Sequence, residues 1–522
     1  MRAADVPLLY NASDILDRNL SERGGKTALF SAERSLTFAE AAAEANQVGH
    51  ALRRLGVRPG ETVGLLCLDC AEWVTAFFGI VKLGGVAVGL NTLLRPPDVA
   101  YILRDARPRV LLVHQALLPT LAPVRGDLAA LGVEHVIVIG GEAPVGDHAW
   151  AALIAAEPAT LAPAPTHRDD FCSLNYSSGT TGEPKGILHA HKDYPLTAQN
   201  WGVNVLGLRE DDRTFATAKL FFTFGTGGNL IFPWHVGASV VLLAGPPRMA
   251  AHVLATIARF RPTIFYNAPT GYAALLAVPD FAQQADLASL RLCVSAGEAL
   301  PAPIWHAWKL QTGLDIIDGI GSTENFHIFL SNRPGDIRPG SSGKPFEGYE
   351  VKIVDEAGEP APPGEIGSLL VRGESAALGY LHQYARSRQT FLGEWLNTGD
   401  KYFVDEDGYY WHAGRSDDML KVGGIWVSPV ELESTLLSHP AVLECAVVGR
   451  PDRAQLVKPE AFVVLREGYA ASEGLGQALI AFCREQMAEY KRPRWVRFVA
   501  ALPKTATGKI QRYKMRSGEV RD

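Results

Sequence analysis

The chemistry of this chain is densest in one run, Tyr176-Ser177-Ser178-Gly179-Thr180-Thr181-Gly182-Glu183-Pro184-Lys185-Gly186, which holds four Ser or Thr hydroxyls, a Lys and three Gly. Glycine lets a backbone approach an anion closely and adopt φ > 0. Hydroxyls and exposed N–H groups donate to phosphate oxygens, and the lysine adds a mobile positive charge. Phe171 to Asn175 before the run and Ile187 to His189 after it read as short strands. A plain surface turn has no use for so many donors, so the run reads as a phosphate cradle. It is not a Walker loop, because Pro184 precedes Lys185 where that pattern needs Gly. Neither G-x-G-x-x-G nor G-x-S-x-G occurs, which removes the dinucleotide and serine-hydrolase fingerprints.

Gly319-Ile320-Gly321-Ser322-Thr323-Glu324 is a second constellation. As a Gly-bracketed turn it can present the Thr323 hydroxyl to a phosphate and the Glu324 carboxylate to Mg²⁺, a hard cation that prefers oxygen; a Glu after a turn also caps helices. Asn397-Thr398-Gly399-Asp400 and Gly414-Arg415 offer a carboxylate that accepts two hydroxyl protons and a guanidinium that donates to sugar or phosphate oxygens. Both dipeptides are also ordinary turn residues. Lys509, in Pro503-Lys504-Thr505-Ala506-Thr507-Gly508-Lys509, is on its own a solvated charge near the C-terminus. Cys67 and Cys70 match C-x-x-C without the second pair a zinc site needs, so buried free thiols are expected. His189 and His191 read as ordinary side chains at a strand end.

The elements that position these groups follow from periodicity. Thr37 and Glu40 form a capping-box pattern that opens a helix through Leu55, with Ala41, Ala45, Val48, Leu52 and Leu55 at helical spacing. Thr62 to Cys67, Val86 to Leu90, Val110 to Val113 and Val136 to Ile139 read as buried strands, with Glu72 to Leu83 a helix between the first two. Short apolar strands separated by helices predict α/β layering with a largely parallel sheet. Residues 143 to 165, rich in Ala and Pro, read as a surface connection. A second α/β stretch runs to about Ser331, with strands at Ser239 to Leu243, Ile264 to Tyr266 and Leu292 to Ser295. Residues 336 to 407 read as a β-rich subdomain, and after Asp418 a small α+β unit follows.

At 522 residues, 47% of them hydrophobic, the chain exceeds one compact core and has apolar material for several. Net charge is 50 − 56 = −6, which argues against a general nucleic-acid binder. The opening residues carry no leader-peptide pattern and no apolar run reaches membrane-spanning length, so a cytoplasmic location is expected.

The run at Tyr176 to Gly186 resembles, along its whole length, the S-S/T-G-T-T-G-x-P-K-G signature of the adenylate-forming enzymes: acyl- and aryl-CoA ligases, luciferases and peptide-synthetase adenylation domains. The other motifs follow in the family's order, including Arg415-Ser416-Asp417-Asp418-Met419-Leu420-Lys421 at its domain junction. The stretches Lys219 to Gly225, Ser295 to Leu300 and Asp318 to Leu330 look like the benzoate-type aryl-CoA ligases. The resemblance implies an α/β fold with a large N-terminal domain of layered α/β subdomains plus a β-rich subdomain (residues 1–414), a hinge at 415–417 turning on Asp417, and a small mobile α+β C-terminal domain (418–522).

It also implies ATP, Mg²⁺ and coenzyme A. Ser177, Ser178, Gly179, Thr180, Thr181, Gly182, Lys185, Gly297, Glu298, Asp318, Gly319, Ile320, Asp400 and Arg415 would bind the nucleotide. Thr323 would contact the α-phosphate, Glu324 would hold Mg²⁺, and Lys509 would be the catalytic lysine. Ile320 stands where the family usually has an aromatic residue against adenine. Phe222, Thr223, Phe224, Ala296, Ile320 and His327 would line the acyl pocket. Phe222 replaces the His many acyl-CoA ligases carry as a gate; Thr223 and Phe224 stand where the subgroup has Ala and Tyr. The implied activity is ATP-dependent ligation of benzoate or a substituted benzoate, 2-aminobenzoate (anthranilate) included, to CoA through an acyl-adenylate. The alternative acceptor is a carrier protein, and a homodimer is left open. No Asp lies in Phe221 to Phe224 to bind an amino acid's α-amino group.

Overall fold

Along the central strands, alternate side chains sort into different apolar clusters, and this alternation builds the layers. In the strand Val110–His114, Val110 and Leu112 enter one cluster, Leu111 and Val113 another. Phe265 and Tyr266 of Ile264–Asn267 part in the same way. A strand buried on both faces requires this period of two. The computed structural model describes residues 1–177, 184–243, 249–284, 286–416, 418–422, 425–453, 456–489, 491–504 and 510–519.

Two sheets form the large body. The seven-stranded sheet runs in the order His148–Ala149, His135–Ile139, Val110–His114, Thr62–Leu66, Val86–Gly89, Phe171–Ser177, Lys185–Ala190. Its pairs are parallel except the last, an antiparallel hairpin in which Ser177 faces Lys185. The nine-stranded sheet is parallel from Ile316–Gly321 through Leu292–Ser295, Ile264–Asn267, Arg213–Ala216 and Ser239–Val241 to Thr27–Phe30, with antiparallel strands at both edges. The N-terminal strand Thr27–Phe30 thus belongs to the second sheet, not to the first α/β stretch where chain order places it. Phe38–Arg54 and Ala71–Leu83 share the apolar cluster between the sheets. A Cβ on Gly79 would lie 2.6 Å from the Ala45 carbonyl oxygen, so these helices cross at backbone contact. Pro96–Ala106 covers one outer face, and Ala250–Phe260, Pro269–Leu276 and Ala302–Thr312 cover the other. The capping box is present: Thr37 Oγ1 accepts from the Glu40 amide at 3.2 Å, and Glu40 Oε2 accepts from the Thr37 amide at 2.8 Å.

A five-stranded sheet follows, built on Tyr349–Val354, Gly367–Gly373 and Trp395–Val404, with Tyr410–Arg415 paired to the last. The C-terminal part holds the three-stranded sheet Val442–Pro451, Val457–Leu465, Trp495–Phe498 and the helices Pro429–Leu437 and Glu473–Gln486. Its apolar clusters contain no residue from before Leu420. No helix of the described residues is long and apolar enough to cross a membrane.

Two expectations are corrected. Residues 143–165 are not all surface connection: they contain the helix Trp150–Ala155, whose Trp150, Leu153 and Ile154 are buried. Those three sit at i, i+3 and i+4, a helical face that the Ala and Pro around them obscures. Gly319 to Gly321 is not a turn but the end of the strand Ile316–Gly321. Its glycines serve close approach: a Cβ on Gly319 would meet the Leu330 carbonyl oxygen at 2.8 Å, and one on Gly321 the His327 carbonyl oxygen at 2.6 Å.

Candidate active site

The hairpin Phe171–Ser177 / Lys185–Ala190 brings Lys185 to the mouth of a cleft of about 1340 Å³ that Gly319 to Glu324, Gly297, Glu298, Thr398 to Asp400 and Arg415 also line. Ser178, Gly179, Thr180, Thr181 and Gly182 of the phosphate run, Asp417 and Lys509 lie outside the described residues. Both flanks of the run are held. The Leu381 amide donates to the Gly186 carbonyl at 2.8 Å, and Tyr101 and Gln383 donate to the Pro184 carbonyl at 3.2 and 3.3 Å. Asp105 accepts from Tyr176 at 2.6 Å and bonds His382 at 2.9 Å.

Lys185 Nζ lies 3.1 Å from Glu324 Oε1 and 3.3 Å from the Tyr380 hydroxyl, which itself donates to Glu324 Oε1 at 2.8 Å. Burial opposes ionisation of Glu324, but Lys185 and the tyrosine outweigh it and hold the carboxyl below its usual range. Thr323 is fixed from behind, since its carbonyl lies 2.6 Å from His189 Nε2, while His189 Nδ1 lies 2.9 Å from Asp193 Oδ2. Each ring nitrogen faces an oxygen, so the imidazole is held from both sides. His189 is therefore a buried brace beneath Thr323.

Across the cleft, antiparallel register sets Asp400 opposite Arg415, with Nη1 to Oδ1 at 3.1 Å. Gly399 has φ 75, and a Cβ there would stand 2.9 Å from Arg415 Nη2. Here glycine gives both the conformation and the room for the pair. Asp318 lies at the end of the parallel strands, 5% exposed, and burial pushes its carboxyl up to about 8. Gly297 takes φ 96 beyond the strand Leu292–Ser295, and Ala296 before it is buried.

Of the residues expected to line the acyl pocket, Phe224 and His327 meet, in a box of aromatic rings. The His327 ring lies 5.5 Å from Phe224, 4.6 Å from Phe232 and 4.9 Å from Trp201. Phe222 precedes the short helix Thr223–Thr226, which buries Thr223. Burial pushes His327 down to about 3, so the ring is neutral. Its Nε2 lies 3.3 Å from the Phe224 carbonyl, an acceptor, so Nε2 carries the proton and Nδ1 a lone pair. Nδ1 is buried without a partner among the described residues. Half-buried Ile320 lines the cleft and packs against the main core.

Cys67 and Cys70 are buried free thiols. Among the described residues no three His, Cys, Asp or Glu side chains gather to hold a metal ion. A lone carboxylate kept ionised fits a cation such as Mg²⁺, which completes its shell with substrate phosphates and water. Two groups escape a reading of the sequence. Tyr380 stands in Leu378-Gly379-Tyr380-Leu381, where no polar spacing marks it. His189 meets Thr323, its acceptor, from 134 positions away in the chain.

The AMP-binding enzyme family matches residues 16–381, and the AMP-binding enzyme C-terminal domain matches residues 431–509. The chain is similar to the benzoate–CoA ligase of Thauera aromatica, at 48% identity over 99% of this chain and 97% of the relative. Among solved structures it is similar to an anthranilate CoA ligase in complex with anthranoyl-AMP, at 67% identity and TM-score 0.96 over 99% of both chains. It is also similar to a benzoate CoA ligase from Burkholderia xenovorans LB400, at 42% identity and TM-score 0.90 over 97% of this chain and 100% of that one. With Ser177 and Lys185 from the two ends of the phosphate run, a carboxylate fit for a metal and an Asp–Arg pair on one cleft, and with family matches across both parts of its length, the chain belongs to the AMP-binding, adenylate-forming enzymes.

Proposed function

We propose that this chain is an aryl-CoA ligase that activates a benzoate-type acid, with 2-aminobenzoate preferred over benzoate. The observation that carries it is the meeting of Lys185, Glu324 and the Asp400–Arg415 pair on one cleft. The aromatic box around His327 packs against the same body. Two of the solved structures that the chain is similar to are an anthranilate CoA ligase and a benzoate CoA ligase.

In this reading the acid's carboxylate oxygen attacks the α-phosphorus of ATP, the bond to the β-phosphate oxygen breaks, and pyrophosphate leaves. The thiol sulfur of CoA then attacks the acyl carbon, AMP leaves with the electron pair, and the thiol proton is lost. Two easier steps replace one hard one. Lys185 and the 177–182 run cradle the phosphates, Thr323 bonds the α-phosphate, and Asp400 and Arg415 hold the ribose. Gly297, Glu298, Asp318 and Gly319 would line the nucleotide site, with Ile320 against adenine. Preorganised donors at the phosphate offset charge that builds as the leaving group departs. Glu324 would hold Mg²⁺, which when bound supplies charge neutralisation at the phosphates. Residues 1–414 form the large domain and 418–522 the small one carrying Lys509, joined at 415–417.

The substituent preference follows from His327. Its Nδ1 is a bare acceptor among aromatic rings, and an amino N–H on a bound ring that reaches it would satisfy it where an unsubstituted ring would leave it unpaired. That difference is worth about 1–3 kcal/mol, on the order of 10–100-fold. The test is thioester formation with ATP and CoA across benzoate, 2-aminobenzoate, hydroxybenzoates and palmitate. The expected result is turnover of benzoates with the highest kcat/KM for 2-aminobenzoate. Efficient turnover of palmitate with none of any benzoate would sink the aryl reading.

A further inference from the structure

Among the described residues, both hydrogen bonds that Glu324 receives from side chains fall on one oxygen. Lys185 Nζ and the Tyr380 hydroxyl reach Oε1 at 3.1 and 2.8 Å, and neither bond involves Oε2. Lys185 is the group that a triphosphate entering the cleft attracts, and its ammonium cannot neutralise both the phosphate and Glu324 at full strength. Tyr380 has no such competing demand, and its position is fixed independently of nucleotide. Its backbone bridges Ile187, its amide donates to Ser387 Oγ at 2.8 Å, and its ring packs edge-on against Phe391 at 5.3 Å. The same ring lies under Lys185 Nζ, 4.8 Å from its centroid. One side chain thus touches the lysine of the phosphate run and the carboxylate fit for the metal, and it stands on the segment that fastens Gly186.

We propose that Tyr380 is a positioning residue for the metal–nucleotide complex: its hydroxyl keeps Glu324 Oε1 occupied, so that Oε2 is the oxygen presented to the divalent cation when ATP draws Lys185 away. The inference rests on the ATP and Mg²⁺ reading of the cleft. Groups that orient a metal ligand in this way change metal affinity or activity about 10–100-fold when removed.

The experiment is calorimetric ATP binding to the full chain without aryl acid, in Mg²⁺ and in EDTA, for wild type, Tyr380→Phe, Glu324→Gln and the double variant. Tyr380→Phe keeps the ring and removes only the hydroxyl. The expected result is a tenfold or larger loss of affinity in Mg²⁺ with affinity in EDTA unchanged, and no further loss when Tyr380→Phe is added to Glu324→Gln. Equal losses in Mg²⁺ and EDTA, additive losses in the double variant, or no loss at all overturn the assignment. If Tyr380→Phe does not fold in thermal melts, Lys185→Met carries the test. With the lysine gone the tyrosine still holds Glu324, so the Mg²⁺-dependent gain in affinity should persist, and its disappearance overturns the proposal. A wild type that binds ATP no more tightly in Mg²⁺ than in EDTA removes the underlying reading and the Tyr380 assignment together. Mg²⁺-dependent binding by wild type with an unchanged Tyr380→Phe removes the assignment alone.

Discussion

Asp318 is a buried carboxyl in the strand Ile316–Gly321 and Glu324 a half-buried one just beyond it, and their surroundings drive them in opposite directions. Glu324 has an ammonium at 3.1 Å and stays ionised; Asp318 has burial as its dominant influence and holds its proton up to about pH 8. Glu324→Gln keeps the shape and removes the charge, so adenylate formation should fall sharply and recover in part with excess Mg²⁺. An unchanged rate at limiting Mg²⁺ would make Glu324 a structural cap. For Asp318 the sign is the reverse of the usual carboxylate. The unfolded chain releases this proton near pH 4 and the native chain near pH 8, so between those values the native state binds more protons and stability falls as pH rises. The slope is at most about 1.4 kcal/mol per pH unit. Asp318→Asn should therefore gain in melting temperature over wild type as pH rises from 5 to 8, and parallel pH profiles for the two proteins would refute this.

At the scale of elements, what the sequence shows depends on whether the signal is local. The capping box at Thr37 and Glu40, the two-sided strands and the helix Ala71–Leu83 are local patterns, and they stand where periodicity puts them. The flanks of the phosphate run are local as well, and its hairpin sets Ser177 opposite Lys185. Sheet membership is not local: Thr27–Phe30 pairs with Ser239–Val241, more than 200 residues away, and no motif records that. The same holds for the partners of known motifs, since Glu324 finds Tyr380 and Thr323 finds His189 only through the fold. The strand Ile316–Gly321 shows how motif and element part company. A run that reads as a turn from its glycines is a strand whose glycines admit the neighbouring backbone. Gly321→Ala should drive a Cβ against the His327 carbonyl, cost about 1–3 kcal/mol of stability and displace Thr323 and Glu324. Chemical denaturation together with Mg²⁺–ATP binding checks it, and a variant equal to wild type in both would show slack in the strand pairing.

At the scale of the whole molecule, the apolar clusters divide at the junction. Those of the large body end with residues of the sheet holding Trp395–Val404 and Tyr410–Arg415, and those of the C-terminal part begin at Leu420. Asp418 is already tied to the second body, with Arg516 at 2.8 Å and Arg512 at 3.7 Å, and Arg512 in turn bonds Glu433 at 2.7 Å. Two bodies with separate cores and a short connection can turn relative to each other, which is the motion the proposed hinge at 415–417 requires. The proposed order of chemistry then has a consequence. In that proposal Lys509 would serve the α-phosphate in the adenylating arrangement and would be carried away from it when the small body turns to admit CoA. Loss of one preorganised donor of this kind costs on the order of 10²–10³ in rate, so Lys509→Ala should slow acyl-adenylate formation by about that factor. Thioester formation from synthetic acyl-adenylate and CoA should stay close to wild type. Asp417→Pro stiffens the connection by fixing φ and should show the opposite selectivity, sparing adenylation and slowing thioester formation. Single-turnover rates of each half-reaction in both variants decide the matter: if Lys509→Ala slows both halves equally, or neither, the two-arrangement account of this chain is wrong.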